Sequence, residues 1–145
     1  MKELKTEILI DATPEKVWQV LLDQAHYPHW NPFVREIKGH IQEGKKISVR
    51  LQPPGQKEMT FQPLVLKKEE NREFRWRGKL FFKGLFDGEH YFILEALGPE
   101  KTRLIHGEQF RGLLVSLVMQ QIGESTRKGF EAMNKALKKE AELQG

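Results

Sequence analysis

The stretch Glu89-His90-Tyr91-Phe92-Ile93-Leu94-Glu95-Ala96-Leu97-Gly98-Pro99-Glu100-Lys101-Thr102-Arg103-Leu104-Ile105-His106-Gly107-Glu108-Gln109-Phe110-Arg111 decides how this chain folds. Two strand-like runs, Glu89 to Leu97 and Thr102 to Arg111, are split by the turn signal Gly98-Pro99. A hairpin turning there sets His90 opposite Glu108, Phe92 opposite His106 and Leu94 opposite Leu104, all on one face. Phe92, Leu94, Leu104 and Phe110 are apolar, so that face points inward and carries both imidazoles and Glu108 with it. Immediately afterwards the period changes. Leu113 to Leu143 is one long helical pattern, with Leu117, Val118, Ile122, Phe130, Met133, Leu137 and Ala141 on a broad stripe.

Upstream, Leu4 to Asp11 alternates as a strand, with Ile8 and Ile10 on one face. Ala12-Thr13-Pro14-Glu15 is a helix start: Thr13 can cap a free N–H, Pro14 suits the first helical position and Glu15 complements the dipole. Val17, Trp18, Leu21 and Leu22 carry that helix to about Asp23. His26 to Phe33 holds Pro28 and Pro32 and reads as a tight turn or a short helical turn. Asn31 can bond backbone groups there, while Trp30 and Phe33 seal one end of the sheet. From Val34 to Arg111 the period is two, with turn signals at 42–44, 53–55, 70–71, 87–88 and 98–99. Six strands follow the first helix, and Pro63 inside the fourth run marks a bulge or an edge. The order of strand, two short helices, meander and long helix is α+β, a strongly curved antiparallel sheet of about seven strands around the C-terminal helix.

Composition narrows the function classes. With 145 residues, 39% hydrophobic and 30% charged, the chain has the make-up of one soluble globular domain. A surplus of 24 Lys+Arg over 20 Asp+Glu is small and interspersed, unlike the clustered field that binds nucleic acid. The absence of Cys excludes disulfides, thiolate metal sites and cysteine nucleophiles. Met1 to Lys5 alternates in charge without an apolar core, so a cytoplasmic chain without a signal peptide is expected. The longest apolar run, Leu113 to Met119, falls far short of the ~20 residues of a membrane span. Gly123-Glu124-Ser125-Thr126-Arg127 does not complete a nucleophile elbow, and no phosphate loop or dinucleotide fingerprint occurs, so no cofactor is expected. His26 and His29 are spaced like a metal pair, but Pro28 lies between them and a third ligand is missing; no metal site is expected.

Three stretches carry a resemblance: Ile8-x-Ile10-x-Ala12-Thr13-Pro14-x-x-Val17-Trp18, Tyr27-Pro28-x-Trp30-Asn31-Pro32-Phe33, and His106-Gly107-Glu108-x-Phe110-x-Gly112 before the long helix. In this order they resemble the START/SRPBCC superfamily of polyketide cyclase-like, lipid-transfer and pollen-allergen-like proteins, over nearly the whole chain. That resemblance implies a helix-grip fold with a deep hydrophobic cavity between sheet and helix. It further implies that a lipid, sterol, polyketide, hormone or aromatic is bound there, and in a minority of members cyclised or dehydrated.

The residues supply candidates for such a site. Phe61, Phe74, Trp76, Phe81 and Phe92 give the concave face a large aromatic surface, which can line a ligand site or simply fill a core. Phe110, Val118, Ile122, Ser125, Gly129 and Met133 extend the expected lining. Gly123, Ser125, Thr126 and Gly129 either leave room for a ligand or allow close backbone packing; each mid-helix Gly costs roughly 1 kcal/mol against Ala. His90, His106 and Glu108 are polar anchors for a ligand, an acid–base group, or a cross-strand set that satisfies itself. The expected function is binding or transport of a small hydrophobic molecule. The alternatives are a cyclase/dehydratase-type enzyme using His106, Glu108 and His90, and a partner-binding module docking through Leu85 and Phe86 beside Phe82 and Lys83.

Overall fold

The computed structural model describes residues 1–80 and 84–143; Phe81, Phe82 and Lys83, named above, lie outside the described residues. The chain runs β1 (Lys2–Ile10), α1 (Pro14–Leu22), a 3-10 turn (Gln24–His26), α2 (Tyr27–Trp30), β2 (Val34–Lys38), β3 (Ser48–Leu51) and β4 (Met59–Phe61). It continues with β5 (Leu64–Glu69), β6 (Glu73–Leu80), β7 (Phe86–Gly98), β8 (Lys101–Arg111) and α3 (Val115–Leu143). The Thr13 side chain accepts from the Lys16 amide at 3.2 Å, the cap its position predicts. Asn31 Oδ1 accepts from the amides of Phe33 and Val34 at 3.0 and 2.9 Å, holding the turn after α2.

The hairpin of β7 and β8 has the register read from parity: His90 faces Glu108, Phe92 faces His106 and Leu94 faces Leu104. Antiparallel pairing extends it to the sheet β1-β8-β7-β6-β5, while β2-β3-β4 forms a second sheet. The expected single run around Pro63 divides there into β4 and β5, because proline has no N–H for a ladder. Its carbonyl instead accepts from the Ile47 amide at 3.0 Å, and Lys46 bridges to Leu64, so the two sheets meet along this seam.

Helix α3 lies along β1 and against α1 and β8. Its buried positions are Val115, Met119, Thr126, Gly129, Phe130, Met133, Asn134, Leu137 and Ala141. Leu117, expected on that stripe, is 59% exposed. At about 100° per residue it stands across the helix from Val115. No described helix is long and apolar enough to cross a membrane.

Candidate functional site

Three of the rows of side chains that cross the concave face of the larger sheet frame the site. Phe74, Phe92, His106 and Thr6 form the deepest, since each pairs with the next across β6, β7, β8 and β1. Trp76, His90, Glu108 and Leu4 form the middle row, and Gly78, Gly88 and Phe110 the row nearest the start of α3. The two glycines leave a depression that neighbours fill. A Cβ on Gly78 would meet the Phe61 ring at 3.0 Å, and one on Gly88 would meet Glu108 Oε2 at 2.1 Å. Phe61 and the Glu108 carboxyl thus sit over adjacent positions.

Below them the space between sheet and helix is occupied. His106 lies between the faces of Phe92 (centroids 4.4 Å) and Phe130 (4.3 Å), and His90 is stacked on Trp76 at 4.7 Å. All five of these groups and Phe74 are buried. The deep chamber expected at this level is therefore filled by an aromatic column. Phe74, Phe92, Phe110 and Met133 belong to the core, while Phe61, Glu108, Val118 and Ile122, toward the open end, stay half-buried. Two further expected lining residues have other work. A Cβ on Gly129 would meet the Phe33 ring at 2.5 Å, so this glycine admits Phe33 and not a ligand. Ser125 Oγ donates to the Pro54 carbonyl. Phe86 is buried and stacked on Phe110 at 5.4 Å, and Leu85 is half-buried, so neither offers the exposed handle expected of a docking loop.

The polar groups join in one chain. Thr6 Oγ1 donates to the His106 carbonyl at 2.7 Å and accepts from Asn134 Nδ2 at 2.8 Å. Asn134 Oδ1 lies 2.8 Å from His106 Nδ1, His106 Nε2 lies 2.7 Å from His90 Nε2, and His90 Nδ1 lies 3.3 Å from Glu108 Oε1. Burial drives every titratable member toward neutrality. The His90 imidazole is pushed down to about 3, and His106 falls well below its usual range through burial and then the neighbouring His90. The Glu108 carboxyl is pushed up to about 8 by burial, though 18% of its side chain stays exposed. Thr6 and Asn134 escape attention in the sequence, yet both are polar residues on apolar periods: Thr6 stands between Leu4 and Ile8, and Asn134 among Phe130, Met133 and Leu137. His26 and His29 lie elsewhere, beyond α1, where His26 Nδ1 bonds Asp23 at 2.7 Å. No metal-binding cluster occurs among the described residues.

A family model described as polyketide cyclase / dehydrase and lipid transport matches residues 1–142. None of the curated proteins compared with the chain matches it. Among solved structures, the Zhui aromatase/cyclase from a Streptomyces species superposes with a TM-score of 0.77 at 16% identity, covering 99% of this chain and 94% of that one. A START superfamily protein from Mycobacterium smegmatis gives 0.72 at 20% identity, with 99% of both chains covered. The norcoclaurine synthase of Thalictrum flavum gives 0.75 at 13% identity, covering 99% and 95%. At these identities the likeness is one of fold.

Proposed function

Because the chain belongs to the polyketide cyclase/dehydrase and lipid-transport family, we propose that it binds a small hydrophobic molecule at the open end of the helix grip. The molecule lies against Phe61 and the turns of α3 carrying Val118 and Ile122, with Glu108 as its polar contact. One observation carries this reading. Glu108 is a partly exposed carboxyl at an apolar rim, with one oxygen tied into the buried chain and, among the described residues, no hydrogen-bond partner for the other. Apolar sites with a few convergent polar groups are the usual form of a small-molecule site. Affinity comes from apolar burial, at ~25 cal/mol per Å².

Native mass spectrometry of protein from its host, with thermal shifts against fatty acids, sterols and aromatics, tests the reading. A co-purified or stabilising apolar molecule is expected, and Ile122→Asp should abolish its binding without unfolding the chain. An empty protein that no member of the panel stabilises refutes it. A second reading, acid–base turnover of a bound polyketide or aromatic, draws on the contact between the Glu108 carboxyl and the His90 imidazole. Under it Glu108→Gln lowers turnover by about a hundredfold or more, whereas a carrier loses only modest affinity.

A further inference from the structure

Resting on that binding reading, we propose that the site selects apolar ligands bearing a hydrogen-bond donor, such as a phenol, enol or alcohol, over ethers and carboxylates of the same skeleton. The reason is the direction of the chain from Thr6 to Glu108. A backbone carbonyl only accepts, so the single hydroxyl proton of Thr6 points at the His106 carbonyl, 2.7 Å away. The Thr6 oxygen therefore accepts from Asn134 Nδ2, which turns Asn134 Oδ1 toward His106 Nδ1. An amide oxygen carries no proton, so His106 Nδ1 does. The other nitrogen of the neutral ring, Nε2, is then a lone pair, and His90 Nε2 at 2.7 Å must supply the hydrogen. His90 Nδ1 is left as an acceptor, and the proton between it and Glu108 sits on Oε1.

Every link holds one proton, and those from Thr6 to His90 cannot be reversed, because the last acceptor is a carbonyl. Glu108 Oε2 consequently faces the rim without a hydrogen. Moving the shared proton from Oε1 to His90 leaves Oε2 an acceptor still. Placing it on Oε2 would set two lone pairs against each other at 3.3 Å. A ligand hydroxyl completes the chain at Oε2. An ether oxygen or a carboxylate there meets another acceptor, and the desolvated oxygen stays unpaired.

Fluorescence titration of the full chain near neutral pH with 2-naphthol, 2-methoxynaphthalene and 2-naphthoate tests this. The naphthol should bind about fivefold to tenfold more tightly than the ether, and the naphthoate most weakly. Glu108→Leu should bring the naphthol-to-ether ratio to about one while the ether still binds. Glu108→Gln should keep the preference, because the amide N–H₂ donates to His90 Nδ1 and its oxygen faces outward. Equal binding of the three probes, preference for the naphthoate, or loss of the preference in Glu108→Gln overturns the donor selection alone. If no probe binds the wild-type chain, the binding reading falls with it.

Discussion

Replacing Gly129 by alanine separates packing from helix propensity within one helix. Alanine favours a helix over glycine by roughly 1 kcal/mol. At this position, however, the new methyl would lie 2.5 and 2.7 Å from two carbons of the Phe33 ring. Phe33 is buried and held edge-on against Phe130 at 5.5 Å, so the ring has to move by more than an ångström within a filled core. Overpacking of this kind costs about 1–3 kcal/mol, and the upper end applies to an immobilised aromatic. The net expectation is a loss of about 2 kcal/mol, or roughly 6 °C in Tm for a chain of this size. Gly123→Ala is the control. Its methyl meets Met119 Cε at 3.5 Å, an ordinary contact, so the helix gain of ~1 kcal/mol should appear as a rise of roughly 3 °C. Urea unfolding and thermal melts of both variants measure this. A Gly129→Ala protein as stable as Gly123→Ala would refute the packing argument.

Two further outcomes follow from the buried chain. With Glu108 raised to about 8 from 4.5, the folded state holds its proton longer, so this group's stabilisation is lost as pH rises from about 4.5 through 8. His90, lowered to about 3 from 6.5, and His106, lowered likewise, favour the fold above 6.5 and lose that contribution as pH falls. Urea midpoints should therefore decline on both sides of about pH 6.5, and Glu108→Gln should flatten the alkaline limb alone; an unchanged limb contradicts the burial of that proton. Asn134→Leu should cost about 2–3 kcal/mol in urea unfolding despite the similar volume, since it strands the His106 N–H and the Thr6 oxygen; a neutral effect would show that the chain is not closed in solution.

The local and periodic features of this molecule were legible in its residues. The turn at Gly98-Pro99 and a period of two placed His90, Phe92, His106, Glu108 and Phe110 on one face, and the register of β7 and β8 agrees pair by pair. Thr13 before Pro14 specified a cap, and the observed cap is the one that this spacing produces. Such features depend on bond geometry and on neighbours along the chain. Pro63 carried half of its message: a break was visible, but the meeting of two sheets there depends on Lys46 and Ile47 arriving from another part of the chain.

Enclosed volume is not a periodic quantity, which is why the inner chamber could not be judged beforehand. Whether the space under α3 is empty depends on Phe33, from the turn after α2, reaching Gly129, and on Phe130 closing over His106. The direction of the polar chain belongs to the same class. Parity set two imidazoles and a carboxyl side by side, yet only Thr6 on β1 and Asn134 on α3, 128 residues apart, orient their protons. Alternation along a strand selects a face. Which atom donates to which is settled only when separate elements close on one another, because a hydrogen bond depends on the position of both its ends.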